Sequence, residues 1–151
     1  MSKFTDYVFV LWGEQFDETT ATVFVSELRR AGLRVKVVGL VSGRMSGHFG
    51  LALVPDIMLD RALSLAAKAM CVVIPDSSPG LKRLRNEPRL REFLQQTRAA
   101  EAIFIVGQFD EADLAELGLS PSQAGRVLVY PEAEDLVEFA REVARSLPAA
   151  H

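Results

Sequence analysis

The chain has 151 residues and a net charge of −3, with 49% hydrophobic and 25% charged residues. This is the size and composition of one folded domain with a substantial core, which argues against a disordered chain, and scattered lysines and arginines argue against a nucleic-acid partner. No apolar run approaches the roughly 20 residues that span a bilayer, and the N-terminal residues lack a signal-peptide apolar region.

The first half of the chain alternates between strand and helix patterns. Residues 7–12 form a nearly continuous apolar run, typical of a strand that is covered on both faces. Residues 19–31 have apolar positions among polar ones and stop at Gly32, a typical residue after a helix C-terminus. The pattern then predicts a β-branched strand over 34–41, a glycine- and serine-rich loop over 42–50 and a short extended run over 51–54.

The second half continues this alternation. Its predicted elements are a helix over 58–69, a buried strand over 70–74, a polar turn over 75–80, a short helix over 81–85, a helix over 88–99, a buried strand over 102–106, a helix over 110–118, a strand over 127–130 and an amphipathic helix over 133–147. Proline is tolerated at the start of a helix, which suits Pro88, and Asp110 is a suitable N-cap.

Strands that alternate with helices predict a single α/β domain over residues 1–151. We expect a three-layer, flavodoxin-like sandwich in which a mostly parallel sheet carries helices on both faces. Ligands bind such sheets beyond the carboxyl ends of the strands, where the strand order reverses. The loops that this rule selects are 13–18, 42–50, 76–80 and 107–110.

The turn at Gly107 is the most informative feature of the sequence. A buried strand that turns sharply into a helix is where many α/β hydrolytic enzymes hold a nucleophile in a strained backbone geometry. Glycine adopts such a backbone without strain, but it has no side chain that could attack a substrate. The pattern therefore predicts the scaffold of a catalytic turn without its catalyst.

Three groups of motifs follow one another in a consistent order. They are Phe16 with a helix ending LRRAG at 28–32, SGHFG at 46–50 running to VPD at 54–56, and VVIP at 72–75 with GL at 80–81 and LREFL at 90–94. In this order and spacing they resemble the ThiJ/PfpI superfamily, which includes the parkinsonism-associated deglycase and is a branch of the class I glutamine amidotransferase-like fold. The resemblance covers roughly residues 7–118 and resumes weakly in the last helix.

The resemblance implies a catalytic site whose parts are missing from this chain. The family's parts are a cysteine nucleophile, a glutamate that hydrogen-bonds it, a Pro-Gly-Gly turn whose N–H groups form an oxyanion hole, and a histidine at or beyond the residue after the nucleophile. The positions that match them hold Gly107, Thr20 (or Glu18, if the register shifts by two residues), Asp76 with Ser77, and Gln108. Hydrolase, deglycase and glyoxalase chemistries thereby lose their covalent step. Cys71 is no substitute, because a cysteine inside an apolar strand is typically inert.

The leading interpretation is a non-catalytic pseudoenzyme that binds a small ligand or a protein partner. Trp12 and Glu14 place an aromatic wall beside a carboxylate at the end of the first strand, which suits a small polar or cationic ligand. The predicted ligand-binding residues are Trp12, Glu14, Glu18, Asp76, Ser77, Gly107 and Gln108. The resemblance also implies a homodimer with the loop around His48 at the contact. The expected location is the cytoplasm, with no cofactor, metal, membrane or nucleic-acid partner.

An enzyme with a relocated mechanism is the first alternative. Glu14, Glu18 or Asp76 would then act as a general base on a small carbonyl compound or an amide. Such a base needs a pKa raised by burial, for example beside Trp12 or Phe16.

A structural or adaptor subunit with a filled pocket is the second alternative. The apolar side chains of Trp12, Phe16 and Phe109 at the strand ends suggest it. In that case Gly107→Cys is expected to be harmless and to restore no activity.

Overall fold

Six parallel strands form one sheet in the computed structural model, which describes residues 6–76, 87–120 and 126–147. The strands are β1 (Tyr7–Trp12), β2 (Val35–Gly39), β3 (Ile57–Met58), β4 (Ala69–Ile74), β5 (Ile103–Val106) and β6 (Arg126–Val129). Their order across the sheet is β3-β2-β1-β4-β5-β6, and each neighbouring pair is parallel. The chain therefore reverses its direction of travel across the sheet between β1 and β4.

Two groups of helices cover the sheet. The helices are α1 (Glu18–Arg30), α2 (Leu59–Leu63), α3 (Pro88–Ala99), α4 (Glu111–Glu116) and α5 (Ala133–Ser146). Helices α1 and α5 pack against each other, and α2 packs against α3. The predicted three-layer, flavodoxin-like sandwich is confirmed. Within the described part of the chain, no helix is both long enough and apolar enough to span a membrane.

The core is built on the central strands. Every residue of β5 is buried, as are all residues but the first in β1 and all but the second in β4. This burial on both faces explains why these strands read as continuous apolar runs. Strand β6 differs because it lies at the edge: among the described residues it pairs with β5 alone, and its residues are partly or fully exposed.

The helix predicted over 58–69 is wrong beyond Leu63. The carbonyl oxygen of Arg61 accepts from both the backbone N–H of Ser64, at 3.1 Å, and its hydroxyl, at 2.7 Å. Serine in this arrangement competes with the next helical hydrogen bond and ends the helix. A 3₁₀ turn over Ala66–Lys68 follows, and β4 then begins at Ala69.

The third strand lies later than the sequence predicts. The run 51–54 contributes only an isolated antiparallel bridge between Ser46 and Ala52, and Val54 is 91% exposed. The strand itself is Ile57–Met58, beyond Pro55. The predicted turn at 77–80 and the short helix at 81–85 lie outside the described residues.

Candidate ligand-binding site

Two adjoining cavities lie at the carboxyl ends of the strands, and together we call them the strand-end cleft. The larger, of about 310 Å³, is lined by Asp17, Thr19, Thr20, Phe49, Gln108, Tyr130, Pro131, Glu132, Ala133 and Leu136. The smaller, of about 220 Å³, is lined by Gln15, Asp17, His48, Phe49, Asp76 and Tyr130. Both border the crossover between β1 and β4, where open α/β sheets bind their ligands. Each of the four loops selected from the sequence supplies a lining residue.

Tyr130 occupies the centre of this cleft. Its backbone N–H donates to the carbonyl oxygen of Val106 at 3.0 Å, and its ring packs edge to face on Phe24. Its hydroxyl lies 3.5 Å from the carbonyl oxygen of Asp76. A Cβ atom at Gly107 would lie 2.8 Å from that hydroxyl and closer still to the same carbonyl oxygen. The space that a side chain at 107 would need is therefore already filled.

The backbone at Gly107 also differs from the prediction. Among the described glycines, the left-handed φ values belong to Gly32, Gly43, Gly50 and Gly118, and Gly107 is not one of them. The prediction that this turn keeps the strained backbone of a nucleophile turn is wrong. Glycine stands at 107 because Asp76 and Tyr130 approach it closely, rather than because of an unusual φ.

Asp17 is the N-cap of helix α1 and lines both cavities of the strand-end cleft. Its carboxylate accepts from the backbone N–H of Thr20 at 3.2 Å and from the Thr20 hydroxyl at 2.7 Å. The side chains of Thr20 and Tyr130 are hydrogen-bonded to each other. Thr20 therefore lies beside Tyr130 in the larger cavity, which Glu18 does not line.

Tyr130 keeps its proton at neutral pH. Burial raises the pKa of the Tyr130 hydroxyl, the charges of Asp17 and Asp76 raise it further, and the hydrogen bond with Thr20 opposes them. The phenol is therefore a neutral hydrogen-bond donor in a cavity that Asp17 and Asp76 also line.

Glu18 points away from the cleft and anchors the loop at 46–52. Its carboxylate is 6% exposed and accepts from the N–H groups of Phe49, at 2.9 Å, and Leu51, at 3.1 Å. A Cβ at Gly47 would lie 2.6 Å from the Glu18 carboxyl carbon, so glycine permits this close approach. Burial acts to raise the pKa of Glu18, but the backbone hydrogen bonds and the charge of His48 bring it below its usual range. This is the opposite of what the relocated-base interpretation requires of Glu18.

The structure corrects the predicted positions of Trp12 and Glu14. Trp12 is fully buried and packs edge to face on Phe16, so it belongs to the core and not to the cleft. Its position at the end of a central strand covered on both faces accounts for this burial. Glu14 is exposed, accepts from the N–H of Ser46 at 3.4 Å, and lines neither cavity.

The remaining predicted residues fall into three groups. Gln108 lines the larger cavity, and Asp76, 6% exposed, lines the smaller one. Gly107 is buried beneath Tyr130, and Ser77 lies outside the described residues. The sequence interpretation missed Asp17, Thr19, Phe49, Tyr130 and Glu132. The rule that selected the four loops could have found Tyr130, since it directly follows the last strand of the same parallel sheet.

The cleft combines negative charge with one exposed and one partly buried aromatic ring. The carboxylates are Asp17, Asp76 and Glu132, and the rings are Phe49, which is 80% exposed, and Tyr130. Cys71 takes no part: it is fully buried in β4, and burial raises the pKa of its thiol to about 12. Within the described residues, no group of three or more His, Cys, Asp or Glu side chains could hold a metal ion.

Comparison with known proteins identifies the family. A model of the DJ-1/PfpI family matches residues 6–107. The chain belongs to the DJ-1/PfpI family. No curated protein matches it by sequence at a significant level.

Solved structures of DJ-1/PfpI proteins share its fold. Drosophila melanogaster DJ-1beta superposes with a TM-score of 0.74 at 20% identity, covering 100% of this chain and 92% of that one. Oxidized Toxoplasma gondii DJ-1 gives 0.73 at 18% identity, with 93% and 95% covered. A two-domain Anabaena variabilis protein with DJ-1/ThiJ/PfpI-like and ferritin-like domains gives 0.76 at 19% identity, with 96% and 49% covered. At these identities the likeness concerns the fold.

Proposed function

We propose that this DJ-1/PfpI-family protein is a non-catalytic protein that binds a small cationic molecule in the strand-end cleft. One observation carries the proposal: the Tyr130 hydroxyl and the Asp76 carbonyl oxygen occupy the space of a side chain at 107, while the cavities beside them stay open. A nucleophile at 107 is thus absent in sequence and sterically excluded in structure. Binding remains available to the cleft, and covalent catalysis from 107 does not.

The lining supports a cationic ligand. Three carboxylates and two aromatic rings border the cleft, against one imidazole from His48. Carboxylates attract an ammonium or guanidinium group, and the faces of Phe49 and Tyr130 add a favourable cation–π interaction. The combined cavities are of the size that holds a small metabolite.

The proposal predicts saturable stabilisation of the protein by a small amine. Thermal unfolding and calorimetry with agmatine, putrescine and choline, each against a neutral alcohol of similar size, test it. A ligand at 100 times its Kd stabilises the native state by about 2.7 kcal/mol. Glu132→Gln, at the rim of the larger cavity, is expected to weaken binding about two- to fivefold, because it removes one exposed charge.

Glu134→Gln is the matched control, since Glu134 is exposed on the same helix and lines neither cavity. Equal effects of the two variants, or no binding by any amine, would contradict the proposal. Turnover of a bound compound that disappears in Asp76→Asn would favour the relocated-base enzyme instead. Asp76 is the candidate base that remains, because Glu18 has a lowered pKa and Glu14 lies outside the cleft.

We also propose that the protein is a homodimer that associates through the loop at 46–54. Leu51 and Val54 are 48% and 91% exposed, and Glu18 anchors the loop through the backbone N–H groups of Phe49 and Leu51. Exposed apolar side chains on an ordered loop mark an association surface. Val54→Asp is expected to convert a dimer into a monomer in sedimentation velocity. Val129→Asp, at an exposed valine elsewhere, is the control, and a monomeric wild-type protein would refute the proposal.

A further inference from the structure

A second cavity lies at the opposite end of the sheet and is basic. It has a volume of about 410 Å³ and is lined by Tyr7, Arg29, Leu33, Arg34, Val35 and Lys36. Tyr7 and Val35 are the first residues of β1 and β2, so this basic cavity borders the amino ends of the strands. The strand-end cleft lies at their carboxyl ends, and the two sites share no residue.

Arg29 lines the basic cavity and is held in place by two hydrogen bonds. Its guanidinium donates to the carbonyl oxygen of Val35 at 2.9 Å and to the carboxylate of Asp56 at 2.8 Å. The same Asp56 oxygen accepts from the backbone N–H of Val37 at 2.8 Å. The charge of Asp56 is therefore directed at Arg29 and the β2 backbone, and Asp56 does not line the cavity.

Arg34 and Lys36 have no such partner. Within the described part of the chain, neither side chain forms an ion pair or a hydrogen bond with another side chain. Arg34 directly precedes β2, Lys36 is the second residue of that strand, and both side chains line the basic cavity. Among the described residues no carboxylate lines the cavity, although the whole chain has a net charge of −3. Because Asp56 offsets the charge of Arg29, Arg34 and Lys36 are the two cations whose charges repel each other at this concave site, and a bound anion would relieve that repulsion.

We propose that the basic cavity binds an organic phosphate. Arg34 donates a pair of hydrogen bonds to the phosphate oxygens, and Lys36 supplies a second positive charge. A phosphate monoester carries close to two negative charges at neutral pH, which suits two unpaired cations better than a single carboxylate does. The half-buried Tyr7 ring, stacked on Phe9 at 5.6 Å, offers a flat apolar surface to the organic group. The volume falls within the range of small-molecule sites.

Calorimetric titration with phenyl phosphate tests this site. We expect saturable binding with one site per chain, weaker binding of inorganic phosphate, which lacks the ring, and no binding of benzyl alcohol, which lacks the charge. Arg34→Gln and Lys36→Gln are each expected to weaken binding of phenyl phosphate at least about tenfold, because a charge-assisted hydrogen bond is lost. Both side chains extend from the surface, so circular dichroism is expected to show intact folds.

Arg30→Gln is the matched control. Arg30 is exposed, lies next to Arg29 and does not line the basic cavity, so the variant makes the same change in net charge nearby. Its phenyl phosphate affinity is expected to stay within about twofold of the wild type. An equal loss in all three variants would mean diffuse attraction by the surface charge and would overturn the site. Absence of phenyl phosphate binding, or binding of a short RNA in its place, would overturn it as well. Neither result bears on amine binding in the strand-end cleft.

Discussion

Gly107→Ala and Gly107→Cys are each expected to lower the free energy of unfolding by about 2 kcal/mol or more. A Cβ at this position meets the Asp76 carbonyl oxygen, which is backbone and cannot rotate away, and lies 2.8 Å from the Tyr130 hydroxyl. Urea unfolding followed by Trp12 emission measures the effect, since Trp12 is fully buried in the folded state. This outcome differs from the sequence expectation for a filled pocket, in which cysteine at 107 is harmless.

Gly43→Ala is the control for the Gly107 substitutions. A Cβ at Gly43 meets no atom within 4 Å, but the residue has a φ of +94°. The control should therefore cost only the roughly 1 kcal/mol of a strained backbone. A Gly107→Cys protein of unchanged stability, with a thiol that reacts rapidly at neutral pH, would show that the site accepts a nucleophile after all. It would also remove the main support for the non-catalytic proposal.

Glu18→Gln is expected to cost about 2 kcal/mol at neutral pH. The wild-type carboxylate accepts from the N–H groups of Phe49 and Leu51, whereas an amide offers one oxygen and turns an NH₂ group toward a donor. Because Glu18 is 6% exposed, water does not replace the lost acceptor. Glu14→Gln is the control, since Glu14 is an exposed glutamate on the preceding loop; its effect should stay within about 0.5 kcal/mol.

The pH dependence of stability offers an independent measure of the same anchor. The pKa of Glu18 in the folded protein lies below the 4.5 of a free side chain. Its contribution is therefore fully present above pH 4.5 and is lost as the pH falls through the lower, folded-state pKa. Unfolding free energies measured across this acid range should fall less steeply in Glu18→Gln than in the wild type. Parallel curves for the two proteins would contradict the assigned role of Glu18.

Much of the fold could be predicted because its signals are local. The central strands β1, β4 and β5 are buried on both faces and read as uninterrupted apolar runs. Helix α1 was predicted within one residue at each end, since Gly32 follows it with a left-handed φ of +89°. The sequence does not predict the break after Leu63, because alanine and leucine favour a helix. The hydrogen bonds of Ser64 that end the helix can be seen only in the structure.

The candidate site was less predictable because it depends on contacts between residues that lie far apart in the sequence. The four loops were selected correctly as neighbours of the cavities, but the sequence could not show that Trp12 turns into the core or that Glu18 binds the loop at 46–52. Tyr130 contacts Asp76, which lies 54 residues earlier in the chain, and no local sequence pattern predicts that contact. The absence of a nucleophile at 107 could be read from the sequence, and the strand-end rule could have placed Tyr130 near the cleft, but its contact with Asp76 in the space of a side chain at 107 could not be predicted.

Strand β6 lies at the edge of the sheet, where a strand of another chain could pair with it. An edge strand presents a row of backbone donors and acceptors that can template another strand and lead to aggregation. Here the edge is only four residues long, and Val129 at its end is 47% exposed. Arg126 places a charge at one end, and Pro131, which has no N–H to donate, lies just beyond the other. A short edge flanked by a charge and a proline is expected to pair poorly with a strand of another chain, while Val127 and Leu128 in the middle of β6 pack against the core.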